Sequence, residues 1–300
     1  MKARITSAVS LLVVASLALS ACGASVKQTL RSALDSVGAQ STVQMHLTAS
    51  VSATGAGASS VATYQSILAK LSYDVHEQSA NGDAIADAAG KVNSDITVNV
   101  SGTPLVHLIE INNTIYVKID FTALSAFPQI GSSLSSQLPA AQLTFGNRWF
   151  EVPSSLVLSY LSASQKSTAD SAGQSAIETK LLDAVVKVIE SNPYTATSNG
   201  FEQTGTLDSL AAGLAPAIAA LEHQKATTVG HTPGTYHVAL GLDGSVATSG
   251  TIGITAPNGG SDMSVSLTAT ISHNDIAVTA PANATVITPA LLKSLGAGGL

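Results

Sequence analysis

The chain has 300 residues, with 13 basic and 19 acidic side chains, a net charge of −6, 4% aromatic residues and one cysteine. An acidic, weakly charged chain is repelled by phosphate backbones, which argues against nucleic acid as a partner. A single cysteine excludes an internal disulfide framework and a thiolate zinc site, so the core alone has to hold the fold.

Met1-Lys2-Ala3-Arg4 is a basic start, and Ala8 to Leu19 is an unbroken run of apolar and small residues. The run falls well short of the roughly 20 residues that a membrane-spanning helix needs. A basic region, a short apolar region and small residues before a cleavage point make a secretory signal. Leu19-Ser20-Ala21 directly before Cys22 marks the lipoprotein kind, in which Cys22 becomes an acylated N-terminus. Residues 1–21 are therefore expected to be a signal peptide, and residues 22–41 a lipidated tether and first helix. In that helix Val26, Leu30, Ala33, Leu34 and Val37 recur at helical spacing, and Gly38 is the stop. The anchor implies the extracytoplasmic face of the cell membrane, with membrane lipid as a partner through the N-terminus. Much Ala, Ser and Thr suggests a GC-rich source such as an actinobacterium.

Residues 42–300 are expected to form a single α+β domain with a helical insertion at about 154–232. Val43, Met45, Leu47, Ala49 and Val51 alternate with polar residues, as in a half-buried antiparallel strand. Thr54 to Ser60 is a small-residue turn. Ile67 to Val75 alternates again, although Val61 to Leu71 also suits a short helix. After a polar excursion over Asn81 to Gly90, Ile96, Val98 and Val100 alternate with polar residues. Leu105 to Ile111 and Ile115 to Ile119 then flank Asn112-Asn113-Thr114, a hairpin signal. Phe121 to Leu143 reads as loop with short helical turns, and Gly146 to Pro153 as a short strand carrying the only tryptophan, Trp149.

Ser154 caps an expected helix to Leu161, and Ile177, Leu181, Val185, Val188 and Ile189 place an apolar stripe on another. Thr206 or Asp208 caps a helix over Leu207 to Leu221, interrupted by Pro216. Strands return at Tyr236 to Leu242, Ile252 to Ile254, Met263 to Ile271 and Ile276 to Val278, and Pro289 to Leu295 closes as a short helix. This order of helix, strands, helices and strands is an α+β pattern.

Catalytic signatures are missing: there is no G-x-S-x-G, no S-x-x-K, no H-E-x-x-H and no phosphate-binding glycine loop. The expectation is a protein that is not an enzyme and has no cofactor. His46, His76 and His107 fall in expected strands where they could meet as metal ligands, and His231 and His237 lie near one turn. Scattered, solvent-facing histidines are the better reading, so no metal is expected. The all-round apolar helix with Leu207, Leu210, Leu214, Ile218 and Leu221 either packs in a core or lines an apolar pocket. Trp149 and Phe150 are candidates for the same pocket or for core.

The lipobox, the strand Ile111 to Ile119 with its Tyr116-Val117-Lys118, the strand Asn147-Arg148-Trp149-Phe150-Glu151-Val152-Pro153 and the tail Ile276 to Ala284 together resemble the mycobacterial LppX/LprG-type lipoproteins. Their broader relatives are the LolA/LolB/RseB-like proteins. The resemblance implies a curved antiparallel sheet, a half-barrel wrapped around helices, with an apolar cavity that holds acyl chains. It implies a membrane-anchored carrier of a lipid or lipoglycan; the alternative is a sensory or scaffolding envelope lipoprotein that binds another protein. A transporter's solute-binding component fits less well, because it needs two lobes with parallel strands.

Overall fold

The computed structural model describes residues 36–55, 58–85, 88, 92–112, 114–126, 138–153, 194–221, 231–244, 246–258 and 261–288. Cys22, the signal peptide, most of the first helix, the expected helices at Ser154 to Leu161 and Ile177 to Ile189, and the closing helix at Pro289 to Leu295 lie outside them. The first half contains strand β1 (Thr42–Ala53), helix α1 (Ala58–Leu68), strands β2 (Leu71–Ser79), β3 (Val92–Val100), β4 (Thr103–Ile111) and β5 (Thr114–Ile119), a 3-10 helix (Phe121–Ala126), helix α2 (Leu138–Phe145) and strand β6 (Phe150–Pro153). The second contains β7 (Thr195–Thr197), β8 (Gly200–Thr206), helix α3 (Leu207–Leu221), β9 (Thr235–Asp243), β10 (Val246–Asn258), β11 (Ser261–Ser272) and the two-residue β12 (Thr285–Val286).

Among the described residues, hydrogen-bonded neighbours run in the order β12-β6-β5-β4-β3-β2-β1-β11-β10-β9-β8-β7, and the sheet does not close. Neighbours from β2 to β6 and from β7 to β11 pair antiparallel, whereas β12 lies parallel to β6. A large, mainly antiparallel sheet with few helices among the described residues is the α+β class, and it fits the expected sheet with helices. The chain divides into two compact units, one built around Leu47–Ala69 and Ser171–Ser272, the other around Ser41–His46, Lys70–Asp170 and His273–Leu300.

In the first unit, β9, β10 and β11 are meander strands whose apolar residues share one face. Val238 opposes Ile252, which opposes Leu267; Tyr236 opposes Ile254, which opposes Val265. Tyr236, Val238, Leu240, Ala269 and Ile271 are buried. α3 begins where the sequence places it: Thr206 Oγ1 accepts the Ser209 N–H at 3.2 Å, a helix N-cap. Asp208 does not cap the helix. Its carboxylate accepts the Thr232 N–H and pairs with His231 at 2.7 Å, and these bonds hold it below the usual carboxylate range.

Three local expectations are corrected. The stretch from Ile67 to Val75 is not one strand: α1 runs to Leu68 and β2 starts at Leu71, which is the helix alternative. Inside the segment expected as a helical insertion, Thr195–Thr197 and Gly200–Thr206 form strands, paired through a turn at Ser198-Asn199. Ile276 to Val278 is not a strand despite its alternation. Ile276 is exposed, while Val278 is buried and donates its N–H to Gln78 Oε1 at 2.9 Å, so a side chain takes the place of a ladder partner.

Candidate functional site

The candidate site is one face of β2–β6 in the second unit, and strand register builds it. Successive side chains on a strand point to opposite faces, and directly paired residues share a face. Val75 pairs with Ile96, Ile96 with Leu108, Leu108 with Val117 and Val117 with Phe150, which makes one apolar row across five strands. A second row joins Tyr73, Val98, Val106 and Ile119. Five strands at the usual spacing span about 19 Å. Except for buried Val75, these side chains are only half-buried. At the β6 corner the Phe145 ring of α2 meets Phe150, with centroids 5.9 Å apart.

The opposite face carries polar clusters, with Ile109 buried in line with Asp95 and Tyr116. His46 Nδ1 lies 2.6 Å from Asp74 Oδ1, and Asn99 Nδ2 donates to the other carboxylate oxygen of Asp74. His107 Nε2 lies 2.6 Å from Asp95 Oδ1, and the Trp149 ring meets the His107 ring edge-on at 4.8 Å. His76 pairs in register with Asp95. Burial pushes the His76 imidazole down, partly offset by the Asp95 charge. The strand histidines thus meet aspartates rather than one another. Among the described residues no group of three or more His, Cys, Asp and Glu side chains is placed to hold a metal ion.

The sequence candidates separate in this geometry. Phe150 ends the apolar row, whereas its neighbour Trp149 stands against His107 on the polar face. Leu207, Leu210 and Leu214 belong to α3 in the first unit, with Leu207 buried and the other two half-buried. The side chains of Ile218 and Leu221 lie outside those described. The apolar rows themselves are invisible in sequence, since their members come from five strands and only register aligns them.

A half-buried carboxyl sits on the apolar face. Glu110 opposes Ser94 on β3 and Ile115 on β5, and burial alone pushes its pKa up. A carboxyl with a raised folded pKa holds its proton more tightly when folded. The stability it contributes is complete at acid pH and falls as pH rises through the window from the usual carboxylate value to the raised one. Glu110→Gln removes that loss. Urea midpoints of the two proteins are expected to coincide below about pH 4 and to separate above it, with the variant the more stable. Parallel pH profiles would show that Glu110 has no raised pKa.

The fold and this face define an α+β protein with an amphipathic antiparallel sheet. Among the described residues no helix is long and apolar enough to cross a membrane. No protein-family model matches the chain, and no curated protein matches it. Among solved structures it is similar to lipoprotein LppX of Mycobacterium tuberculosis, at 14% identity, over 84% of this chain and 97% of that one, with a TM-score of 0.35. That likeness is distant, and the functional reading stands on the residues of the β2–β6 face.

Proposed function

We propose that the protein is a membrane-anchored, extracytoplasmic lipoprotein that binds a lipid or glycolipid on the apolar face of β2–β6, as a carrier and not as an enzyme. The observation that carries this reading is the row Val75–Ile96–Leu108–Val117–Phe150, apolar across five strands and still half open. An acyl chain laid on it is held by burial of apolar surface, at about 25 cal/mol per Å². The lipobox ending at Cys22 supports the anchor and the location. Leu108→Asn places an amide in the middle of the row, where an acyl chain would leave it without a partner. Affinity for a fluorescent fatty-acyl probe is expected to fall by about ten-fold or more, since one such desolvated group costs roughly 1–3 kcal/mol. Unchanged affinity in the folded variant overturns the reading.

A protein-binding role rests on a separate feature of the first unit. Ile254 and Val265 oppose each other on β10 and β11 and are 40% and 42% exposed. Exposed apolar pairs of this kind occur at interaction surfaces. A specific partner captured from solubilised membranes, and lost with Ile254→Ser/Val265→Ser, would favour it.

A further inference from the structure

The apolar face has edges on all four sides, and they fix a length. Its two rows, Val75 to Phe150 and Tyr73 to Ile119, lie two residues apart along the strands, about 7 Å. Side chains in rows that far apart leave a groove between them about as wide as one hydrocarbon chain. Along the strands the groove soon stops. On one side the next row holds Ser94 and Glu110; on the other, Val100 is buried to 1% exposure and pairs with the exposed Thr103. Across the strands it runs further. At β2 it ends on Val75, already covered at 3% exposure, and at β6 on the Phe150 ring, with Phe145 of α2 against it. An apolar chain therefore buries most surface when it lies across the strands.

From β2 to β6 is four strand spacings, about 19 Å, and from β3, where the row is first half open, it is three, about 14 Å. An extended acyl chain, with carbon–carbon bonds about 1.52 Å long, advances about 1.25 Å per carbon. Resting on the lipid-binding reading, we infer that the β2–β6 face is a length-selective track for a single acyl chain of roughly twelve to sixteen carbons, laid across the strands. Each methylene inside the track buries apolar surface, whereas each one beyond its ends gains none there. The chain length the protein carries is thus set by the number of strands that share the row.

The test displaces a fluorescent fatty-acyl probe from the full mature chain with Cys22→Ser, using straight saturated fatty acids of about eight to twenty-two carbons, each below its aggregation limit. The head carboxylate is constant through the series, so the slope reports the chain alone. Affinity is expected to rise about three- to four-fold per added carbon up to roughly twelve to sixteen carbons, and then to level off. Val117→Phe puts a ring into the groove at β5, about one strand spacing short of its end. That variant is expected to move the break about four carbons or more towards shorter chains. Affinity that still climbs beyond about eighteen carbons, a wild-type break below about ten, or a break that Val117→Phe leaves in place overturns the track while leaving the lipid reading standing. Failure of every chain to bind overturns the lipid reading, and the track with it.

Discussion

Replacing Cys22 with serine is expected to move the protein from the membrane pellet to the soluble fraction almost completely. The chain has no second cysteine that could take the lipid. The full chain has a net charge of −6, and loss of the expected signal peptide with Lys2 and Arg4 makes it more acidic, so on the proposed reading charge cannot substitute for acyl chains at an anionic bilayer. One acyl chain gives only marginal, reversible binding, with a constant near ~10⁴ M⁻¹, whereas two hold stably. On the proposed reading Cys22 is the acceptor, so its loss removes one-chain and two-chain attachment at once. Fractionation by ultracentrifugation, with and without high salt, reads the outcome. A serine variant that still pellets in high salt would put the anchor elsewhere in the chain.

The second large effect lies in the first unit, where β8 crosses β9. Gly205 is paired with Tyr236, and a Cβ at Gly205 would run into the Tyr236 ring. Tyr236 is 2% exposed, and its hydroxyl donates to the buried Gln203 Oε1 at 3.3 Å. Tyr236→Ala therefore empties a large buried volume and removes a buried hydrogen bond, and it is expected to cost about 3–5 kcal/mol. Gly205→Ala overpacks the same spot and is expected to cost about 1–3 kcal/mol. The two effects are coupled: with the ring gone, the extra methyl has room. In Tyr236→Ala the Gly205→Ala change is expected to be close to neutral, a coupling energy that a double-mutant cycle of urea midpoints measures. Additive costs would mean that the ring does not occupy the space over Gly205.

Much of this fold is legible in sequence wherever one strand or one turn carries its own signal. On β1 the alternation of Val43, Met45 and Leu47 with His46 and Thr48 is seen as buried and exposed sides. The Asn112 turn between β4 and β5 is held at φ 50°, a conformation asparagine tolerates better than most residues. Thr206 caps α3, as a threonine just before an apolar helical run should. The signal fails at α1 and β2, because Ile67 to Val75 has period two on both sides of a helix end. It fails at β7 and β8, because Thr195, Ala196 and Thr197 are all exposed and Gly200 and Gly205 interrupt the second strand. Ile276 to Val278 shows the reverse: alternation describes how side chains would sit on a strand but does not provide a neighbour to pair with.

The candidate site is the least legible part for a related physical reason. Phe150 could be named from sequence, but Val75, Ile96, Leu108 and Val117 become one surface only when four registers align them. The strand histidines carry a visible chemical signal, yet their partners Asp74 and Asp95 are set by the same register. A sequence pattern reports the period within a strand, whereas a site on a sheet is made across strands.

The most direct measurement is native mass spectrometry with lipid extraction on the full mature chain carrying Cys22→Ser, alongside the same chain with Leu108→Asn. A co-purified lipid close to one per chain is expected on the first protein and its loss from the second. A folded Cys22→Ser protein that carries no lipid and takes up none from added vesicles would contradict lipid carriage on the β2–β6 face.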